Sequence, residues 1–295
     1  MASEVRVIAR GKVNLFLEVL EKRPDGYHEL DTVFQSVELC DELFFEKGDK
    51  GIQLTVSDSP VPAGEGNLIW KVYELLLRRS PDRMGGVCVN LEKKIPPGAG
   101  LGGGSADAAA ALLGFNRFFQ LGLGDKELRT LALEIGMDVP FCLSGGTALA
   151  SGRGEILTPV RRCVDFQALV VYPGFGIPTK SAYEALRIEE CQDKRRSGDL
   201  VRALAGEKVD ELWQMLYNRF EETLAGVYPV LKEIRDMLVW GGCDAALLTG
   251  SGSAVCGYAP VDVDLAPLAA LMRRRYSYSA ITRPIQKGVV FDNAD

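Results

Sequence analysis

The chain has 295 residues, long enough to bury a substantial core and, by length, to form two domains. Its 47% hydrophobic and 25% charged content is ordinary for a soluble globular protein, and no apolar run approaches the length of a membrane span. A net charge of −6 argues against a nucleic-acid partner that depends on a basic surface.

In chain order, residues 5–20 read as paired strands through Val5, Val7, Ile8, Leu15, Leu17 and Val19. A turn follows at Arg23-Pro24-Asp25-Gly26, with Pro and Gly where a tight turn wants them. Val33 to Phe45 reads as strand, broken near Cys40-Asp41, and Asn67 to Arg79 has helical spacing at Leu68, Val72, Leu75 and Leu76. A short strand over Cys88 to Leu91 leads into a glycine loop. A helix from Ser105 then runs to about Gly122, and a second covers Asp125 to Ile135 with Asp125 placed to cap it. Strands follow at Gly146 to Ala150 and Ala168 to Tyr172. The stretch Arg153 to Asp165 is a domain boundary in this reading, giving domains 1–158 and 159–295. Beyond it, helices are expected at Ser181 to Leu186, Val209 to Leu224, Val230 to Trp240 and Leu265 to Arg275. The remaining strands fall at Ala246 to Thr249, Val255 to Tyr258 and Tyr278 to Thr282. Strands and helices mixed without regular βαβ alternation indicate an α+β fold.

Seven cysteines (Cys40, Cys88, Cys142, Cys163, Cys191, Cys243 and Cys256) include no Cys-x-x-Cys pair, the usage of reduced thiols in a cytoplasmic protein. The first residues carry charge inside their short apolar stretch, unlike a signal peptide. Basic clusters at Lys194-Arg195-Arg196 and Arg273-Arg274-Arg275 read as solvated loop or helix ends. Nothing in the sequence specifies an oligomeric state.

The glycine loop is the strongest chemical signal. Gly98, Gly100, Gly102, Gly103 and Gly104 fall within seven positions, broken only by Ala99 and Leu101, so almost no Cβ holds the backbone away from a ligand. Bare N–H groups opening onto a helix N-terminus form an anion site, because the unpaired donors and the positive dipole end point the same way. A Walker A loop ends Gly-Lys-Ser/Thr, whereas Gly104 is followed directly by Ser105. A dinucleotide fingerprint needs an acidic ribose reader at a strand end, and Asp125 sits in loop sequence. A flexible linker is not followed by a strong helix former. Asp107 repels a nearby phosphate, so it is expected to point aside or to help hold a cation.

Three further clusters carry chemistry. Lys12 and Asn14, two apart on a strand, share a face and suit either a site wall or a solvent face. Tyr27 and His28, the only histidine, follow the Pro-Asp-Gly turn, a place to stack on and hydrogen-bond a planar ring. Asp138 stands among Gly136-Met137-Val139-Pro140-Phe141, where a buried carboxylate needs a partner; Lys12 is the natural one. A structural ion pair and a catalytic base both satisfy that pattern. Gly250-Ser251-Gly252, between two apolar runs, reads alone as a tight turn, and with the first loop as a flap over phosphates.

Pro96 to Ala106 matches, residue by residue, Pro-x-Gly-x-Gly-Leu-Gly-Gly-Gly-Ser-Ala, and on it the chain resembles the GHMP kinases. Lys12-Val13-Asn14-Leu15, Arg23 to His28, Asp138 to Phe141 and Leu248 to Gly252 resemble the branch of that family whose small-molecule substrate carries a cytidine diphosphate group on methylerythritol. The resemblance spans essentially the whole chain. It implies an N-terminal domain like that of ribosomal protein S5, a ferredoxin-like C-terminal domain, and a site in the cleft between them. It also implies ATP with Mg2+ as phosphoryl donor, without identifying the metal's ligands. Asp138 is then the base for the accepting hydroxyl, with Lys12 steadying the developing alkoxide. Tyr27 and Tyr183 sandwich the cytosine, His28 reads its polar edge, and Asn14 and Thr179 line the substrate pocket. Asn67 and Lys93 lie along the ATP side, with Pro96, Gly98 and the run Gly100, Leu101, Gly102, Gly103, Gly104 and Ser105 wrapping the phosphates. Gly250, Ser251 and Gly252 close the cleft. A homoserine or mevalonate kinase has no use for Tyr27 and His28, a ligand sensor no need of Lys12 and Asp138, and a serine hydrolase would lack a nucleophile elbow near His28.

Overall fold

The structure, a computed structural model, describes residues 4–57, 59–162, 164–186, 195–206 and 211–292. Cys163, Cys191 and Lys194 therefore lie outside the described residues. Two very long strands begin the chain, β1 (Glu4–Lys22) and β2 (His28–Lys47), joined by the Pro-Asp-Gly turn. They pair antiparallel from Glu4 opposite Glu46 to Lys22 opposite His28. Cys40-Asp41 does not break β2; the register instead shifts between Arg10 and Lys12, again between Asn14 and Phe16, and between Val19 and Glu21. Bulges of this kind bend a strand and re-aim its side chains, and Lys12 and Asn14 lie between two of them.

Next come β3 (Ile52–Ser57), α1 (Leu68–Arg79) and β4 (Val87–Glu92), with β3 parallel to β4. The glycine loop then opens α2 (Gly103–Phe118), followed by α3 (Asp125–Ile135), α4 (Val139–Ser144), β5 (Thr147–Ser151) and β6 (Ile156–Pro159). The first sheet runs β12-β1-β2-β4-β3, with β5 also on β2 and β6 on β5. Its apolar face and α1 to α4 share one core, built around Phe45, Phe115, Phe118, Phe141 and the alanines of α2. The alanines let α2 lie close to the sheet; each is completely or almost completely buried.

The second half contributes β7 (Gln167–Tyr172), α5 (Thr179–Ala185), α6 (Gly198–Leu204), α7 (Leu212–Met215), β8 (Tyr217–Asn218), α8 (Phe220–Val227), α9 (Pro229–Trp240), β9 (Ala245–Leu248), β10 (Val255–Ala259), α10 (Ala266–Arg275), β11 (Tyr278–Thr282) and β12 (Val289–Phe291). An antiparallel sheet of order β11-β7-β10-β9 packs against α5, α8, α9 and α10. A third apolar cluster, including Val13, Leu15, Phe16, Val170, Leu247 and Tyr258, fills the space between the two sheets. The α+β expectation holds, and the halves are cross-connected: β8 and β12, from the second half, pair with β1 of the first sheet.

The helix expected over Val209 to Leu224 is interrupted, and residues 207–210 lie outside the described residues. Residues 217–218 leave the helical path to pair parallel with Phe16 and Leu17. The buried Asn218 amide donates to the carbonyls of Leu248 and Gly250, at 2.7 and 2.9 Å. Arg219 reaches the fully buried Glu18 at 2.6 Å. Partners for a buried carboxylate and for two backbone carbonyls outweigh a continuous helix. The helix after the glycine loop starts at Gly103 rather than Ser105 and ends at Phe118. Gln120 and Gly122, both at positive φ, turn the chain there. The N-cap of α3 is Gly124, whose N–H donates to Glu127 at 3.1 Å, so Asp125 is the first helical residue instead of the cap.

Gly114 sets the distance between α2 and the sheet, because a methyl group there would lie 2.3 Å from the fully buried Phe45 ring. Overpacking of a filled core costs about 1–3 kcal/mol, more than the ~0.5–1 kcal/mol that alanine gains in helix propensity. Gly114→Ala is therefore expected to lower the midpoint of urea unfolding. A raised midpoint would show that α2 slides off Phe45 without penalty.

Candidate active site

Segments from both halves of the chain converge on one cavity of about 1480 Å³ between the two sheets. The glycine loop forms one wall. Gly98, Gly100 and Gly102 all take positive φ, a region that side-chain-bearing residues enter only with strain. Gly102 caps α2 in that left-handed conformation and contributes no side chain to the first helical N–H groups. Backbone bonds pin the loop on both sides. Lys12 N–H donates to Leu101 O at 2.9 Å, and Ala254 N–H donates to Ala99 O at 3.1 Å.

The turn between β9 and β10 meets this loop backbone to backbone. A methyl group at Gly100 would lie 2.1 Å from the Thr249 carbonyl oxygen, and one at Gly250 2.9 Å from the Gly100 carbonyl oxygen. Gly250, Ser251 and Gly252 thus reach the cavity beside Pro96, Gly98, Gly100, Leu101, Gly102, Gly103, Gly104 and Ser105. The Ser251 hydroxyl lies 3.3 Å from that of Thr179, at the start of α5.

Lys12 rises from the floor on β1. Its side chain is only 5% exposed, and its ammonium donates to Asn14 Oδ1 at 2.8 Å. The ammonium also lies 5.2 Å from the Phe34 ring centroid and 3.6 Å from Asp138 Oδ2. The lysine–aspartate pairing expected from the sequence is present, but its burial is inverted. Lys12 is the buried partner, whereas the Asp138 side chain is 35% exposed. The reason is that Asp138 occupies the N-cap of α4, with Pro140 in the first turn, so its side chain stands at the mouth while Val139, Phe141 and Cys142 turn inward. Asn14 is held on three sides. Its Nδ2 donates to Thr32 Oγ1 at 2.9 Å, its backbone N–H donates to Thr249 Oγ1 at 3.1 Å, and its Oδ1 accepts from Lys12.

The far end of the cavity is aromatic. The His28 imidazole stacks on the Tyr183 ring, with centroids 4.7 Å apart and planes 15° from parallel. Phe220 meets Tyr183 edge to face at 4.9 Å. Tyr27, about half exposed, carries the Arg153 guanidinium 4.9 Å from its ring centroid. Burial, with the charge of Lys22 as the smaller cause, lowers the His28 imidazole below its ordinary value and keeps it neutral at pH 7. Burial also raises the Tyr183 phenol far above its usual range, so it remains a hydroxyl.

Of the residues singled out in the sequence, Lys12, Asn14, Tyr27, His28, Asp138, Thr179 and Tyr183 line this one cavity together with both glycine loops. Asn67 and Lys93 do not. The Asn67 side chain caps α1, accepting the Ile69 N–H at 2.9 Å and donating to Pro62 O at 2.9 Å. Lys93 is buried under the loop, its ammonium held by Asp41 at 2.6 Å and Asp107 at 2.9 Å. Arg153 and Thr32 were not foreseen. Arg153 sits between two glycines in what reads as linker sequence, and Thr32 is one polar residue in a strand, so neither carries a local signal. Among the described residues, no group of three His, Cys, Asp or Glu side chains converges to hold a metal ion. No helix is long and apolar enough to cross a membrane, again among the described residues.

Comparison with known proteins agrees with this geometry. The family description "GHMP kinases N terminal domain" matches residues 67–146, and "GHMP kinases C terminal" matches residues 199–275. A 4-diphosphocytidyl-2-C-methyl-D-erythritol kinase from Pelotomaculum thermopropionicum is 40% identical over 280 residues, covering 95% of this chain and 97% of the relative. The crystal structure of a 4-(cytidine 5'-diphospho)-2C-methyl-D-erythritol kinase superposes with a TM-score of 0.81 at 34% identity, covering 95% of this chain and 98% of that one. Homoserine kinase from Cytophaga hutchinsonii shares the fold, with a TM-score of 0.76 at 18% identity over 99% of this chain and 98% of that one. The two-domain architecture is that of the GHMP kinases, and the chain belongs to their 4-diphosphocytidyl-2-C-methyl-D-erythritol kinase family.

Proposed function

We propose that the chain transfers the terminal phosphoryl group of ATP to the 2-hydroxyl of 4-diphosphocytidyl-2-C-methyl-D-erythritol, a step of non-mevalonate isoprenoid precursor synthesis. The observation that carries this reading is one cavity holding three things: a glycine loop at a helix N-terminus, a Lys12–Asp138 pair 3.6 Å apart, and an aromatic end built from Tyr27, His28 and Tyr183. Phosphoryl transfer asks the protein mainly for alignment and charge stabilisation, and these parts supply both.

The uncapped N–H groups of the loop and of the first turn of α2 hold the phosphates. Asp138, exposed enough for a substrate to reach, accepts the proton of the attacking hydroxyl. Lys12 offsets the charge that builds on that oxygen, and Asn14 fixes the ammonium in place through the 2.8 Å bond. The Asn14 amide carries two N–H donors, one of them committed to Thr32; the other is assigned to the substrate. Thr179 and Ser251 close the pocket from the side of the second domain, whose boundary we place near residue 158. Magnesium would arrive with the nucleotide and supply neutralisation of phosphate charge, as suits an ion that keeps phosphates and water as its main ligands.

The aromatic end reads the base. A cytosine stacked between Tyr27 and Tyr183 takes over a ring face of the kind the His28 imidazole now covers, freeing the imidazole for the polar edge of the base. A neutral imidazole offers one donor and one acceptor, matching an amino group and a ring nitrogen.

A coupled ADP-release assay with ATP and magnesium tests the reading. The cytidyl substrate is compared with mevalonate and homoserine. Turnover is expected with the cytidyl substrate alone, and Asp138→Asn is expected to reduce kcat by about 10² to 10⁴. Turnover with mevalonate or homoserine instead would retain the kinase and discard the cytidine pocket.

Tyr183→Ala should raise the KM for the cytidyl substrate by about two- to tenfold, the worth of one aromatic stack of ~0.5–1.5 kcal/mol. Tyr183→Phe should not, and neither variant should change the KM for ATP. Initial-rate measurements with each substrate varied in turn separate these effects. An equal rise in both KM values would mean that Tyr183 supports the fold rather than the base.

A further inference from the structure

Directly beneath the glycine loop lies a buried charged cluster that the mechanism above does not use. The Lys93 ammonium, just past the end of β4, donates to Asp41 of β2 at 2.6 Å and to Asp107 of α2 at 2.9 Å. The three side chains are 4%, 0% and 5% exposed. Asp41 is well provided for, since its Oδ1 also accepts the N–H groups of Lys94 and Ile95 at 2.6 and 2.8 Å. Asp107 is not. Its Oδ2 shares the one ammonium, and its Oδ1 is buried without a hydrogen-bond partner.

With both carboxylates ionised, one cation faces two anions and the cluster carries a net charge of −1 out of contact with water. Its location makes that charge consequential. A methyl group at Gly103, the first residue of α2, would lie 3.1 Å from the Lys93 ammonium, so the cluster sits immediately under the backbone that opens the helix. A buried negative charge there opposes a triphosphate above it, at low dielectric and with little screening. A proton on Asp107 removes the opposition and gives the carboxyl an O–H to donate.

We propose that Asp107 is a positioning residue of the phosphate loop, a carboxyl group that is protonated when the loop holds nucleotide, so that the N-terminus of α2 meets the triphosphate over a neutral cluster. This rests on the reading that the glycine loop binds the phosphates of ATP. The titratable groups facing Asp107 are Lys93 beside β4, Asp41 of β2 and the Cys142 thiol of α4. From β1, Lys12 packs against Gly102 and pairs with Asp138. From α1, Tyr73 meets Phe115, two turns further along α2. Burial raises the Asp107 carboxyl and the Lys93 ammonium pulls it down. The charge of the neighbouring Asp41 raises it again, leaving it at about 8.

The direction of the pH effect follows from linkage. Bound phosphate favours the neutral acid, so the bound state holds its proton to higher pH than the free state. Below about pH 8 the proton is already present and ATP affinity is flat. Above it, each ATP bound draws a proton from solvent, and affinity falls by about fivefold between pH 8 and pH 9.

Calorimetric titration of the full chain with magnesium–ATP, at pH 7, 8 and 9 in pairs of buffers of different ionisation heat, counts that proton. Wild type is expected to take up almost none at pH 7 and close to one at pH 9, with Kd rising over the same interval. Asp107→Asn, which keeps the shape and removes the ionisation, is expected to bind with a pH-independent Kd and no uptake. A wild-type proton count near zero at pH 9 overturns the proposal whether or not the variant folds. So does uptake that persists unchanged in Asp107→Asn. Failure of wild type to bind ATP at pH 7 overturns the nucleotide reading of the loop, and this proposal with it.

Discussion

The site depends on one close approach, the meeting of two glycine loops from opposite sheets at Gly100 and Gly250. The Gly100 Cα sits where any side chain would strike the Thr249 carbonyl, and Gly250 faces the Gly100 carbonyl in return. Because both backbones run bare at this point, the turn between β9 and β10 reaches the same cavity as the N-terminus of α2. The Ala254–Ala99 and Lys12–Leu101 backbone bonds then lock the loop to both halves of the molecule. Thr249, carried on the same turn, reaches over to bond the Asn14 backbone, so the placement of Lys12 is tied to the docking of the second sheet. Contact between the loops and orientation of the reacting side chains are one constraint.

Charge is distributed around that contact in two layers. The upper layer is open. Asp138 stands at the cavity mouth, and Lys12 is buried behind it with its ammonium shared between Asn14, Asp138 and the Phe34 face. The carboxylate is the more accessible of the two, which suits the proton-accepting role proposed for it, while the ammonium is preorganised by its enclosure. The lower layer is closed, with Lys93 shared between Asp41 and Asp107. Two lysines that look alike in sequence, each beside the glycine loop, therefore serve different surfaces of it. Lys12 was legible through Asn14 and Asp138, whereas nothing in the local sequence places Lys93 beneath the loop instead of along it.

That limit recurs throughout the fold. Elements governed by their own residues were legible: α3 spans the expected residues 125–135, β11 the expected 278–282, and the Pro-Asp-Gly turn joins β1 to β2. The glycine loop was legible because its chemistry is concentrated in consecutive residues. Asn67 shows a signal present but differently used, for an Asn directly before an apolar-periodic run is an N-cap by propensity, and that is what it is. The interruption of the 209–224 helix was not legible. It is caused by Glu18 and by the carbonyls of Leu248 and Gly250, which are distant in the chain and adjacent only after folding. The aromatic end divides in the same way. Tyr27 and His28 announce themselves beside a turn, whereas Arg153 over Tyr27 depends on the turn between β5 and β6 folding back across β2.

The two-layer arrangement also bears on why an acidic residue is tolerated one turn into a helix whose N-terminus opens on the cavity. On the outer face of α2, Asp107 would confront the ligand. Starting the helix at Gly103 instead of Ser105 makes Asp107 its fifth residue and turns the side chain down onto Lys93. The three glycines from 102 to 104 make this possible, because without side chains the first turn of α2 lies directly on the Lys93 ammonium and the Ile95 side chain. The same absence of Cβ atoms that exposes the N–H groups to the cavity above lets the charged cluster approach from below. Loop and cluster are therefore coupled through a single layer of backbone, and a change in the charge of one is felt by whatever the other holds.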